Sequence, residues 1–150
     1  APEGGPAKVR RRIAGEKMRL LMQEANLAAR PAETLWESLV DAADLYGFDA
    51  PVLEDVRPKL DTYKDVLKGA LALGRLLSRR AARGERVGLL LPNAGPAVAT
   101  VFGLWSQGRV PALLNYTAGV EGMQSAIELA QIRLLVTSRA FLEKGKLTEK

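Results

Sequence analysis

The chain has 150 residues, 47% of them apolar and 26% charged, which suits one globular domain with a real core and excludes a disordered chain. It contains no Cys and no His, so disulfides, thiolate nucleophiles, zinc-finger spacings, imidazole bases and the Ser-His and Cys-His pairings are all excluded. No run of roughly 18 residues is apolar throughout, as a membrane span would be, and the N-terminal stretch is too charged for a secretory signal, so the reading is cytoplasmic.

The formal charge of +5 sits in one place. Lys8, Arg10, Arg11, Arg12, Lys17, Arg19 and Arg30 stand against Glu16 and Glu24 there, and the remainder is neutral by count. The basic character therefore belongs to an N-terminal segment and not to the main body.

"APEGGPA" lacks an initiating Met and is rich in Pro and Gly, so it reads as a linker and the chain as excised from a longer one. The next stretch, "KVRRRIAGEKMRLLMQEANLAAR", places Val9, Ile13, Leu20 and Leu27 on one face of a helix that Lys17 interrupts and Gly15 weakens. Residues 1–31 form a basic linker and helix, and 32–150 the main domain. In "ETLWESLVDAADLYG", Thr34 with Glu37 makes a capping box. Leu35, Trp36, Leu39, Val40 and Ala43 make a stripe, and Gly47 can close the helix.

"PVLEDV" and "KLDTY" flank Arg57-Pro58 as a short hairpin, and Thr62 caps a long helix to about Arg83 with Val66, Leu67, Ala70, Leu71, Gly74 and Leu77 buried. A regular alternation follows: strand 87–91, helix 96–107, strand 110–115, helix 119–131, strand 133–137. Apolar strands separated by helix-length segments predict an α/β fold, a three-layer Rossmann-like βαβαβ unit with a mainly parallel sheet, preceded by helices and a short hairpin. The helix after "LLPNAGP" has no charge from Ala94 to Gln107 and is expected to be largely buried.

A strand, tight loop and helix is where many α/β proteins seat a phosphate. "LPNAGPAVAT" has one Gly, no Lys, and a Pro at the helix start that removes an N–H an anion would use. It reads as a structural turn and helix cap.

Four segments in order, "LDTYKDVLKGALALGRLL", "GERVGLLLPN", "FGLWSQGRVPALLNYT" and "AIELAQIRLLVTS", resemble the N-terminal subdomain of the adenylate-forming (AMP-binding) acyl-activating enzymes, over about Thr34 to Phe141. "RRRIAG", "TLWESLVDAADLYG", "GRVPALLNYTAG" and "TSRAFLEK" are similar to the ligase portion of the bifunctional acyl-carrier-protein synthetase / 2-acylglycerophosphoethanolamine acyltransferases. That resemblance implies ATP and Mg²⁺ as cofactors of the complete enzyme, with none held tightly by this segment. It also implies that a fatty acid is activated as its adenylate and passed to the thiol of an acyl carrier protein, in the service of lysophospholipid reacylation. The upstream acyltransferase of that family uses a His-x4-Asp motif, which a chain without His does not contain. The family's Ser/Thr/Gly-rich phosphate loop ending in Lys follows the strand at 133–137, and the chain reaches Lys150 first, so residues 32–150 read as an incomplete subdomain that forms no acyl-adenylate by itself.

Asn115, Tyr116 and Thr117 sit where a parallel strand gives way to a loop, the edge at which open α/β sheets bind ligands. They are the candidate substrate-binding residues; the alternative is that Asn and Thr cap the next helix. No catalytic or metal-ligating residue is assigned. Trp36 and Trp105 read as core residues or as ligand contacts. The basic run from 8 to 30 is either a solvated linker face or a surface for an anionic membrane, which would make the protein peripheral at the inner membrane. Nucleic acid is not an expected partner, because the aromatic residues are not interleaved with the charges. A free-standing Rossmann-like nucleotide-binding or regulatory module is the other reading, disfavoured by the missing glycine fingerprint.

Overall fold

Two helix starts in this chain are set by side chains that satisfy the first free N–H groups. Thr34 Oγ1 accepts from Glu37 N at 3.1 Å, and Glu37 Oε2 accepts from Thr34 N at 2.9 Å, so the box expected from the sequence starts the helix at Leu35. Thr62 and Asp65 repeat it, with Thr62 Oγ1 accepting from Asp65 N and Asp65 Oδ2 accepting from Thr62 N, both at 3.2 Å.

The computed structural model describes residues 6–28, 34–55 and 60–144, and the chain divides into two units, 1–33 and 34–150. The first unit contains α1 (Pro6–Ala28), a helix that Gly15 does not break. Its described side chains, residues 9–24, are exposed, Val9, Ile13 and Leu20 of the expected stripe among them. The side chain of Leu27, and Arg30 as a whole, lie outside the described residues.

The second unit contains α2 (Leu35–Tyr46), β1 (Pro51–Leu53), β2 (Asp61–Thr62), α3 (Tyr63–Leu77), β3 (Arg86–Leu90), α4 (Gly95–Ser106), β4 (Val110–Leu113), a 3-10 turn (Tyr116–Ala118), α5 (Gly119–Leu129), β5 (Leu134–Thr137) and α6 (Arg139–Lys144). β1 and β2 pair antiparallel; the turn at Arg57-Pro58 lies outside the described residues. β3 pairs parallel with β4 on one side and with β5 on the other, giving the order β4-β3-β5. The chain thus moves one way across the sheet from β3 to β4 and the other way from β4 to β5. Such crossovers are right-handed as a rule, and in opposite directions they place α4 and α5 on opposite faces, as a three-layer α/β arrangement requires.

Paired residues of parallel strands share a face. Val87 and Leu89 therefore share one with Leu134 and Val136, and with Leu77, Ala81 and Leu104 they make the core. Val87, Leu89 and Leu104 are its largest fully buried side chains, each contributing on the order of 1.5–3 kcal/mol.

Helices α3 and α4 meet through glycine. A Cβ on Gly74 would lie 2.4 Å from Gly103 O, and one on Gly103 would lie 2.5 Å from Ala70 O, so the two backbones touch where a side chain would hold them apart.

Several expectations are corrected. α3 ends at Leu77, short of Arg83; past its end the Arg109 guanidinium satisfies carbonyls, Nη2 donating to Ser78 O at 3.3 Å and Ala81 O at 3.0 Å, while Nη1 donates to Gln107 O at the end of α4. Leu71 is exposed by 41% and Leu35 by 59%, since only one side of each helix meets the unit. Trp36 is half-buried instead of central. β4 ends at Leu113 instead of 115, and a 3-10 turn that the sequence did not announce follows it.

Candidate functional site

The carboxyl ends of β3 and β5 are adjacent, with Leu90 opposite Thr137, and the chain leaves them toward different helices. This divergence is the switch point at which open α/β sheets form a crevice. Thr137 closes β5, and Asn93, Asn115–Thr117 and Ser138 are polar residues that follow the three strands there. Thr137 Oγ1 is buried without a hydrogen-bond partner, a polar atom at the crevice that nothing in the described residues satisfies.

The three expected site residues lie together at the end of β4 and are exposed. Asn115 Oδ1 accepts from Thr117 N at 3.0 Å and from Thr117 Oγ1 at 2.7 Å. Those two side chains therefore serve the 3-10 turn, and neither caps α5, which starts after Ala118 with no side-chain cap. Tyr116 stands edge-on to Phe141, ring centroids 5.2 Å apart at 80°. Since Phe141 follows β5, this aromatic pair links the two outer strands' ends across the end of β3.

The start of α4 decides the phosphate question. Gly95 N donates to Asp55 Oδ2 at 3.0 Å, Pro96 has no N–H, and the N–H groups of Ala97 and Val98 both donate to Ala94 O. The first-turn donors that would grip an anion are all engaged, and the favourable place for negative charge is held by a carboxylate of the chain itself. Asp55 carries no local signal in the sequence, because its partner lies 40 residues away.

Asp55 also lines an open groove of about 820 Å³, whose walls include Leu35, Leu53, Val98, Val101, Phe102 and Trp105. The uncharged helix expected to be buried is thus covered on its Ala99, Thr100, Gly103 and Leu104 side and borders this groove on the other. Trp105, half-buried and edge-on to Phe102 at 5.4 Å, is a groove wall and not a core residue. Among the described residues no group of three or more acidic side chains is placed to hold a metal ion, and no helix is long and apolar enough to cross a membrane.

The sequence profile of the AMP-binding enzymes matches residues 39–150. Among solved structures, the chain is similar to VinN, at 25% identity with a TM-score of 0.68 over 79% of this chain and 31% of that one. It is also similar to the AMPPNP-bound nonribosomal peptide synthetase FmoA3, at 20% identity and a TM-score of 0.67 over 77% and 12%. A third likeness is to unliganded O-succinylbenzoate coenzyme A synthetase from Bacillus subtilis, at 21% identity and a TM-score of 0.60 over 75% and 24%. The chain spans less than a third of the length of each of these proteins.

Proposed function

From the premise that this chain belongs to the AMP-binding enzyme family, we propose that it is the N-terminal portion of an ATP-dependent ligase that activates a fatty acid as its adenylate and delivers the acyl group to the thiol of an acyl carrier protein. The family match over residues 39–150 supports the adenylate-forming part of this reading. The motifs "GRVPALLNYTAG" and "TSRAFLEK" support placing it with the bifunctional synthetase / acyltransferases of lysophospholipid reacylation.

The residues present do not fit a triphosphate with Mg²⁺. The α4 N-terminus is closed by Asp55 and Ala94, and acidic groups are not clustered for a metal among the described residues. The role of this portion is therefore positional. It contributes one wall of a cleft, with the polar ends of the parallel strands at the rim and the Thr137 hydroxyl left for a partner beyond the described residues. Tyr116 is the substrate-side residue of the expected trio, since Asn115 and Thr117 bond to each other.

The experiment is ATP–pyrophosphate exchange with Mg²⁺ and medium- and long-chain fatty acids. The longer protein in which we place this chain should exchange in a fatty-acid-dependent way, and the 150-residue chain alone should not exceed a no-protein control. Exchange by the chain alone would show that the phosphate site has been misplaced. Exchange by the longer protein with amino acids, and not with fatty acids, would overturn the substrate class.

For α1 we propose contact with an anionic membrane surface, which would hold the enzyme peripherally at the inner membrane. The exposed Val9, Ile13, Leu20 and Leu21 beside Arg10, Arg11, Arg12 and Arg19 support it, each basic side chain contributing on the order of 1 kcal/mol at such a surface. Co-sedimentation with phosphatidylglycerol vesicles at low salt should fall when residues 1–33 are removed. Equal partitioning with and without them would refute it.

A further inference from the structure

The parallel register that gathers the ends of the strands also gathers their beginnings. β3 opens on Arg86, while Arg109 and Arg133 stand immediately before β4 and β5. The connection from α3 brings Arg79, Arg80 and Arg83 toward the same amino edge. Arg109 turns inward onto carbonyls of Ser78 and Ala81, but the other five are exposed. Arg83, Arg86 and Arg133 line one cleft of about 290 Å³ with Glu85 and Gln131.

The charge in this cleft is not balanced from within. Glu85 supplies its only carboxylate, and Oε2 of that carboxylate accepts from Ala82 N at 2.7 Å. Arg86 Nη1 reaches Ala130 O at 3.4 Å, and the stem of Arg83 lies over Gly108. Among the described residues, the guanidinium groups of Arg83 and Arg133 make no hydrogen bond or ion pair. Gathering like charges is unfavourable unless an anion joins them, and the planar guanidinium fork matches phosphate oxygens two at a time.

We propose that this amino-edge cleft binds a small phosphate-bearing ligand of the diphosphate class, held by the guanidinium groups of Arg83, Arg86 and Arg133. The cleft is concave and small, with three cations around one opening, which fits a compact, multiply charged oxyanion better than a broad acidic protein face. It lies at the opposite edge of the sheet from the crevice, so the proposal does not depend on the function argued above.

The test uses the 150-residue chain and inorganic pyrophosphate at low ionic strength, followed by calorimetry and by amide chemical shifts. Saturable binding is expected, with shifts at Gly84, Gln131 and their neighbours. Arg83→Gln/Arg133→Gln should weaken it on the order of tenfold or more. Arg75→Gln/Arg139→Gln, which removes the same charge away from the cleft, should leave the affinity within about twofold. Folding of both variants is checked by circular dichroism, and the shifts on the unaltered chain test the site without any substitution. Equal loss in the two variants, shifts confined to the basic residues of α1, or saturable binding of an Asp/Glu-rich peptide but not of pyrophosphate would each overturn the proposal.

Discussion

Replacing Gly103 by Ala tests whether the glycine contact sets the distance between α3 and α4. The added Cβ would lie 2.5 Å from Ala70 O and 2.9 Å from Gly74 N, whereas a carbon normally approaches a carbonyl oxygen to about 3.3–3.6 Å. Both obstructing atoms are helical backbone, so no rotamer change relieves the overlap, and α4 must withdraw by roughly 1 Å or tilt. Overpacking of this kind costs about 1–3 kcal/mol, and the rigid obstacle argues for the upper end. The helix propensity of Ala over Gly offsets about 1 kcal/mol of that. A net loss of about 1–2 kcal/mol remains. For a chain of 150 residues, each kcal/mol corresponds to about 2–4 °C, so the melting temperature of the variant should fall by roughly 2–8 °C. Thermal unfolding followed by circular dichroism at 222 nm would measure it. An unchanged or raised Tm would refute the argument, because it would mean that the helices have room for a methyl group.

Asp55→Ala removes the acceptor of Gly95 N and should cost about 1–2 kcal/mol in urea unfolding, with Asp55→Asn nearer to the parent chain because it keeps an oxygen there. Arg109→Lys replaces a fork that serves Ser78 O and Ala81 O with a point charge that cannot reach both. A loss of about 1–3 kcal/mol in the same assay is expected. Gln131 holds φ at 52° just after α5, where Ile132 N reaches Ile127 O and Gln131 N reaches Glu128 O. Gln131→Gly should therefore stabilise by about 0.5–1 kcal/mol, read as a higher urea midpoint.

What the sequence determined by itself is what neighbours along the chain decide. The Thr34–Glu37 box, the Thr62 cap and the alternation of strands and helices from residue 87 onward all depend on groups within a few positions of each other. The lack of a phosphate cradle at "LPNAGPAVAT" was legible too, because Gly count, Lys and Pro placement are local facts. Tertiary structure alone decided the rest. Which strand lies in the middle follows from the directions of two crossovers, and that placement creates the crevice beside Thr137 and stretches the Tyr116–Phe141 contact across the end of β3. Asp55 reaches a helix start 40 residues on. Gly74 reads as part of a buried face, but only the packing shows that it and Gly103 are the contact between the two helices. Arginines 83, 86 and 133 have no common pattern in the sequence, and a neutral count conceals them; they form one cleft because parallel strands in register begin at the same edge. Chain-local chemistry fixes where elements start and stop. Long-range register decides which distant side chains come to share a site.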